Sequence, residues 1–468
     1  MPNSAVAALM ERLRPSLGER VSDAIGLRTQ FGRSEAYREP SPPDLVARPL
    51  DAEEVRRIVG ACHALRVPVV AFGEGTSLEG NAAAVQGGLC LDMSAMDQVI
   101  SVQAADMDVR VGPGVRRKAL NAALRDTGLF FPIDPGADAS IGGMASTRGS
   151  GTMAVRYGTM RDNVLALEVV LADGRLIRTG RRARKSAAGY DLTRLFVGAE
   201  GTLGVITEVT LRLHPIPEAI AAAVCPFPTF AGAVDTAIAT MQAAIPVARI
   251  ELLDEVMMRG VNHWAGFAYP ELPTLFIEFH GTPNAVEEQA ELVRSLAAEH
   301  GAAEMQWARE TEARSRLWHA RDNTLYAGRG LRPGSEAIIT DVCVPISALA
   351  QCLEETRLDL ERSGLLAPLV GHVGDGNFHL LLLVDPADSE EIARARALHA
   401  RLVARALALD GTCTGEHGVG VGKRGYLETE LGEAVDTMRA IKRALDPLNV
   451  MNPGKIFLET ALAEAAAA

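Results

Sequence analysis

Three of the chain's ten histidines, His372, His379 and His417, stand with Glu416 in two glycine-bounded runs near the end of a 468-residue sequence. The first run extends from Gly371 to His379 and holds Asp375, Gly376 and Asn377 between its histidines. The second is Thr414-Gly415-Glu416-His417-Gly418. Imidazoles and a carboxylate gathered in this way are the parts of a catalytic metal site. Three ligands leave a coordination position open, and the fourth group can act as a base. The turn residues between the first two histidines imply a shaped loop, and a strand from Asn377 to Val384 would aim His379 to one face.

Three more glycine-rich loops lie in the first half. They are Gly73-Glu74-Gly75-Thr76-Ser77 with Gly80 and Asn81, the polar stretch from Pro135 to Gly158, and Gly198-Ala199-Glu200-Gly201-Thr202-Leu203-Gly204. Such loops after short strands let backbone N–H groups approach a pyrophosphate, and Thr76 and Ser77 add hydroxyl donors. None of the three is a G-x-G-x-x-G turn, so a Rossmann domain is not indicated.

Those loops need elements to hold them. Pro40 to Pro49 reads as a turn and a short extended strand. Asp51 to Glu54 reads as a helix start, with Asp51 capping and Glu54 reaching back, and the helix runs to about Leu65. A buried strand over 67–72 follows, then strands at 89–91 and 109–112 and a helix over 115–127. Asp173-Gly174 turns a hairpin between strands at 164–171 and 175–178. Pro215 and Pro217 mark a boundary. Beyond it helices (231–244, 285–300) alternate with strands (275–280, 337–344), which predicts an α+β domain with a sheet covered on one side. After Asp388 the pattern is mostly helical and ends in an alanine-rich tail. The N-terminus predicts an amphipathic helix with Val6, Leu9, Met10 and Leu13 on one face.

Composition excludes some partners. Apolar residues make up 48% and charged residues 23%, ordinary for a globular protein. The net charge of −12 argues against nucleic acid and gives no grip on an anionic membrane. No segment reaches the ~18 continuous apolar residues of a membrane span, so any membrane association is expected to be peripheral. The six cysteines include no CxxC, which predicts reduced thiols in a reducing compartment. Cytoplasm, with peripheral contact to a bacterial inner membrane, is the expected location, and a homodimer the expected assembly. Cys413 lies near the histidines but is expected to be a buried hydrophobe.

The ordered loops resemble the FAD-binding domain of the vanillyl-alcohol oxidase / p-cresol methylhydroxylase (PCMH) superfamily from Pro43 to Pro217. The carriers are 69–77, Pro135-Gly136 with Ile141-Gly142-Gly143, Tyr157-Gly158 and 198–204. The resemblance implies that Gly73, Gly75, Thr76, Ser77, Gly80 and Asn81, with Pro135, Gly136, Ser140, Gly142, Gly143, Ala145 and Ser146, hold the FAD pyrophosphate region. It implies Gly149 to Gly151 near the ribityl chain or pyrophosphate, Glu200, Gly201 and Ile206 near the adenine, and Tyr157 and Gly204 as further cofactor-binding residues. Asn452 and Lys455 would return from the C-terminus to the flavin. Some members attach flavin through a histidine in the first loop; this loop has none, so the FAD is expected to be non-covalent.

The second half resembles the C-terminal domain of FAD-linked D-2-hydroxyacid dehydrogenases, a family that includes D-lactate dehydrogenases and the glycolate oxidase catalytic subunit. The resemblance implies an α+β architecture in four parts: a helical segment over 1–40, a two-subdomain PCMH-type FAD domain over 41–217, an α+β substrate (cap) domain over 218–410, and a C-terminal segment over 411–468. It implies His372, His379 and Glu416 as ligands of Zn²⁺ or Mn²⁺, His417 as base, and Arg321 as partner of the substrate carboxylate, with Arg316 and His319 as lesser candidates. The expected reaction takes the C2 hydrogen of a small 2-hydroxy acid to flavin N5 as a hydride. Electrons would pass on to cytochrome c, a quinone or an electron-transfer flavoprotein. Relatives that oxidise 2-hydroxyglutarate carry a lysine just before the segment matching Asp341 to Pro345. Here Ile338, Ile339 and Thr340 stand there, so a second carboxylate would lack that partner. A short or apolar side chain, as in D-lactate, is favoured, with glycolate, 2-hydroxyglutarate and a longer D-2-hydroxy acid as the alternative substrates. An alkylglycerone-phosphate synthase, which shares the flavin fold, and a non-catalytic FAD subunit are the remaining alternatives.

Overall fold

A computed structural model describes residues 4–34 and 39–458. The alanine-rich tail, expected to be frayed or helical, falls outside the described residues from 459 onward.

The first half builds two sheets. In the smaller one the strands run Val21–Ser22, Leu45–Ala47, Leu89–Asp92, Val69–Phe72, the last three parallel. Helices Ser4–Leu17 and Ala52–Leu65 cover it, burying Leu9, Leu13, Val55 and Ile58 against Leu45, Leu89 and Leu91. Asp51 does cap the second helix, accepting from the Glu54 amide at 2.8 Å. Glu54 differs from the expected reciprocal bond. Its buried carboxylate instead takes the Leu50 amide at 2.8 Å and, in a charge-assisted bond, Arg20 Nη2 at 2.7 Å.

The second sheet has five antiparallel strands in the order Val99–Gln103, Asp108–Val111, Val205–Arg212, Val164–Val170, Leu176–Arg178. The Asp173-Gly174 hairpin is present, pairing Val170 with Leu176 and Glu168 with Arg178. The expected helix over 115–127 is shorter, Arg117–Leu124 followed by a 3₁₀ turn, since Pro113 and Gly114 make a turn and Arg116 after them is still extended, bridged to Ser140.

The second half forms one eight-stranded antiparallel sheet. Its order is Gln306–Ala308, Ala219–Pro226, Thr274–Gly281, Arg249–Leu253, Leu369–His372, Asn377–Val384, Glu336–Ile339, with Val342–Cys343 also on Asn377–Val384. The expected single strand over 337–344 is thus two strands. Coverage on one side is also corrected. One core packs Phe227, Val234, Val293, Leu353 and Leu402 against Ile250, Ile277 and Phe378. Helices Glu255–Ala265 and Thr311–Asp322 cover part of the other face, where Met257, Met258, Leu317 and Trp318 meet Phe276, Val370 and Leu381. Where both faces have a cover the strands are apolar on both, with buried polar exceptions that include Glu251, Glu278, His280, His372, Asn377 and His379.

Among the described residues no helix is long and apolar enough to cross a membrane. All six cysteines are free, five of them buried and Cys343 partly exposed.

The chain then returns to its beginning. Val69 donates to the Val450 carbonyl at 2.7 Å, Asn452 donates to the Val69 carbonyl at 2.8 Å, and Val69 pairs parallel to Met451. The C-terminal segment therefore extends the edge of the first sheet.

Candidate active site

A cavity of about 610 Å³ lies between the glycine loops and the cap sheet. Its walls include Gly73, Gly75, Thr76, Ser77 and Asn81 from the first loop and Pro135, Gly136, Ser140, Gly142, Gly143, Ser146, Gly149 and Gly151 from the second. Glu200, Gly201 and Ile206 add a third side. Opposite stand Arg321, His372, His379, Glu416 and His417. The two halves of the candidate site, far apart in sequence, thus face one space.

The loops are close enough to require glycine. A Cβ on Gly73 would lie 2.2 Å from Ser140 Oγ, so a side chain there would close the slot between the first and second loops. A long, narrow slot edged by backbone and hydroxyls suits the pyrophosphate and ribityl chain of a dinucleotide.

Six expected cofactor residues do not line the cavity. Gly80 lies beside the neighbouring small pocket. Ala145 is buried, its carbonyl accepting from Gly198 N at 2.9 Å, and Gly204 packs on Val169 and Phe196. Tyr157 donates its hydroxyl toward the cap instead, 2.8 Å from His280 Nδ1, in a network that continues to Glu278 and Arg249. Asn452 binds the Asn81 and Glu200 carbonyls at 2.8 and 2.6 Å, and Lys455 Nζ sits 2.5 Å from the Ala83 carbonyl. Asn452 and Lys455 thus brace the first loop from behind. Glu200 does reach the cavity wall, but its carboxylate is taken by Asn81 Nδ2 and by the Val419 and Gly420 amides, at 2.7–2.9 Å. It ties the FAD-binding half to the loop bearing Glu416 and His417.

The strand pair Leu369–His372 and Asn377–Val384 sets the histidines. Val370 pairs with His379 and His372 with Asn377. With a side-chain period of two, Val370, His372, His379 and Leu381 share the cavity face, while Leu369, Phe378 and Leu380 enter the opposite core. Gly376 makes the turn possible. Its φ is +78°, and a Cβ there would lie 2.1 Å from the Val344 carbonyl oxygen. Gly376→Ala is expected to cost at least about 1–2 kcal/mol from backbone handedness alone. The check is the urea midpoint of the purified holoenzyme; an unchanged midpoint would mean the turn is not under this constraint.

His372 Nε2 and His379 Nε2 approach the same oxygen, Glu416 Oε1, at 3.2 and 3.3 Å. His379 Nδ1 lies 3.0 Å from the Thr340 carbonyl, which can only accept, so Nδ1 carries the hydrogen and a neutral ring offers a lone pair at Nε2. His372 Nδ1 likewise faces the Glu251 carboxylate at 2.8 Å. Lone pairs aimed at a carboxylate oxygen repel unless a cation lies between them, and the donor set of two imidazoles and a carboxylate suits a divalent metal. Burial alone would lower the His372 pKa. With no cation between them, Glu251 and Glu416 instead hold it well above the usual imidazole range. Ser150 Oγ donates to the other Glu416 oxygen at 2.5 Å, a contact the sequence reading missed.

His417 stacks on His379 with ring centres 5.0 Å apart. Burial, opposed by Asp341, pushes its pKa down to about 4, so the ring is neutral at physiological pH. Asp341 holds the loop. Its Oδ2 accepts from Thr414 Oγ1 at 2.8 Å and from the Glu416 and His417 amides at 3.0 Å each, and Lys423 Nζ lies 3.3 Å away. Lys423, fully buried, is also 3.3 Å from Glu79 of the first glycine loop.

Arg321 is buried and forks onto Glu251 Oε2 through Nε (2.8 Å) and Nη2 (2.5 Å). Arg316 and His319 do not line the cavity. Arg316 lies over the Phe267 ring, and His319 meets the Trp264 ring at a 45° tilt with centres 5.3 Å apart. Cys413 is buried with its thiol pKa raised by burial, and it too is absent from the wall. Glu251 was legible only as a lone acid in the apolar run Ile250 to Leu253.

The family of FAD binding domains matches residues 43–180, and the family of FAD linked oxidases, C-terminal domain, matches 216–456. A protein named probable D-lactate dehydrogenase, mitochondrial, from Danio rerio is 51% identical over 97% of this chain and 93% of its own length. D-lactate dehydrogenase [cytochrome], mitochondrial, from Arabidopsis thaliana is 52% identical over 89% of this chain and 73% of its own. Among solved structures, p-cresol methylhydroxylase with substrate bound superimposes with a TM-score of 0.82 at 18% identity, covering 98% of each chain. Alkyldihydroxyacetonephosphate synthase does so at 0.76 and 19%, covering 95% of this chain and 85% of the other. These two likenesses show the fold alone. Both halves of the sequence and the cavity between them accordingly place the chain in the FAD-linked oxidase family.

Proposed function

We propose that the chain oxidises D-2-hydroxy acids, D-lactate foremost, to 2-oxo acids and passes the electrons to a cytochrome. The observation that carries this reading is the cavity wall on which His372, His379, Glu416, His417 and Arg321 together face the glycine loops. The names of the relatives at 51% and 52% identity support the substrate, and the second name supports the acceptor.

Bound FAD supplies the two-electron acceptor for the C2 hydrogen. His372, His379 and Glu416 would hold a divalent metal, Zn²⁺ or Mn²⁺, which would supply Lewis acidity toward the substrate hydroxyl. Arg321 pairs with the substrate carboxylate, and the fixed guanidinium sets the acid's orientation. Neutral His417 accepts the hydroxyl proton. Ser150 and Glu251 hold Glu416 and His372 from behind. Ile339, Val370 and Leu381 line the same cavity and give the C3 methyl an apolar seat without a cation for a second carboxylate.

The test is anaerobic bleaching of the flavin band. D-Lactate is expected to bleach it rapidly, L-lactate and D-2-hydroxyglutarate slowly. EDTA is expected to abolish bleaching, and Zn²⁺ or Mn²⁺ to restore it. Protein that holds FAD and metal yet is bleached by no 2-hydroxy acid would sink the reading. A transferase of the same fold would catalyse no net oxidation and would pass no electrons to a cytochrome.

A further inference from the structure

We propose that Glu251 is a positioning residue that sets two binding groups at once: the ligand imidazole of His372 and the carboxylate-binding guanidinium of Arg321. The inference rests on the reading above, because it assigns meaning to both partners.

Glu251 lies within the cap strand Arg249–Leu253 and is 1% exposed. Its neighbours Ile250 and Leu252 point into the opposite core. A carboxylate in such a place is costly unless every oxygen is bonded. Here the two oxygens are divided. Oε1 takes the Nδ1 hydrogen of His372 at 2.8 Å. Oε2 takes Nε and Nη2 of Arg321 at 2.8 and 2.5 Å. Since Nδ1 must donate, the His372 lone pair is fixed at Nε2, facing Glu416. Since Nε and Nη2 are both held, the guanidinium plane is fixed at the wall of the cavity that Arg321 lines. A carboxylate behind a ligand imidazole raises its basicity and locks its ring orientation. One rigid group therefore fixes the distance between the metal and the substrate's carboxylate anchor. A 2-hydroxy acid, whose hydroxyl and carboxylate are both borne by C2, needs that distance fixed.

Glu251→Gln keeps the size and the hydrogen bond to His372 but loses the charge and turns a donor toward Arg321. The experiment uses the full-length FAD-loaded protein and titrates Zn²⁺ away with a chromophoric chelator, then measures KM and kcat for D-lactate. E251Q is expected to hold Zn²⁺ about 10–100-fold more weakly and to raise KM by about tenfold or more, with FAD content unchanged. Arg321→Met is expected to raise KM while leaving Zn²⁺ affinity within about twofold. The estimate for KM follows from losing a charge-assisted pair, about 10-fold or more.

Should E251Q fail to fold, the E251Q/R321M double variant removes both buried charges together and is compared with R321M. A further fall in Zn²⁺ affinity supports the proposal; an equal affinity overturns it. E251Q with wild-type Zn²⁺ affinity and a raised KM would also overturn it, because Glu251 would then serve Arg321 alone. Wild-type protein that takes up no metal, or is not reduced by any 2-hydroxy acid, is a different outcome. It defeats the function proposed above before any variant is compared.

Discussion

His417→Ala is expected, on the function proposed above, to lower kcat/KM for D-lactate by about 10²–10⁴-fold, with FAD and metal content equal to those of the wild type. The reasoning starts from what the alanine leaves intact. The His417 amide still donates to Asp341 at 3.0 Å, so the loop stays in place. The triad His372, His379 and Glu416 does not include the His417 ring, so metal content should hold. What disappears is a buried ring whose pKa of about 4 keeps it unprotonated and able to take the hydroxyl proton. The measurement is the single-turnover rate of flavin bleaching, with zinc and FAD counted in the same sample. A variant that keeps more than a tenth of the wild-type rate would remove His417 from the proton-accepting role. Loss of metal together with rate would instead make it a structural member of the ligand shell.

Asp341→Ala should have the largest effect on stability, about 3–5 kcal/mol. The carboxylate is fully buried, and burial would raise its pKa, yet Lys423 and the neighbouring histidines hold it well below the usual range. Its removal leaves the fully buried Lys423 ammonium with Glu79 as its remaining acid and strips acceptors from Thr414, Glu416 and His417. Urea unfolding followed by tryptophan fluorescence measures the cost. The D341N/K423M double variant, which removes both charges, is expected to recover part of it. If D341A unfolds at the wild-type midpoint, the buried triad of Asp341, Lys423 and Glu79 does not hold this loop.

The parts of the site that sequence could reveal are those whose chemistry is local. The glycine loops announce close backbone approach over a few residues, and most of their members do line the cavity. His372 and His379 are legible because one short turn and a period of two put them on one face. Glu416 and His417 are legible because they sit between glycines. The missed residues act through distant partners. Glu251 is 121 residues from His372, and Ser150 is 266 residues from Glu416. No local pattern encodes such a pairing. The misplaced residues show the converse. Tyr157 and Gly204 belong to loops that do touch the cavity, but Tyr157 turns toward His280 and Gly204 is needed for packing against Val169. Proximity in sequence to a binding loop does not fix which way a side chain turns. In the fold, the two-sided cover of the cap sheet was misread because the strand Asn377–Val384 is buried throughout, which looks the same from sequence whatever lies on each face.

The return of the chain to Val69 has a consequence for synthesis. A ribosome releases the strand Val69–Phe72 long before Val450 to Asn452, the residues that complete its edge, have been made. Until then the strand offers unpaired amides and carbonyls, and the first glycine loop lacks the Asn452 and Lys455 bonds behind it. A product truncated before Val450 is expected to be left with an open sheet edge at Val69 and a first glycine loop without the bonds from Asn452 and Lys455.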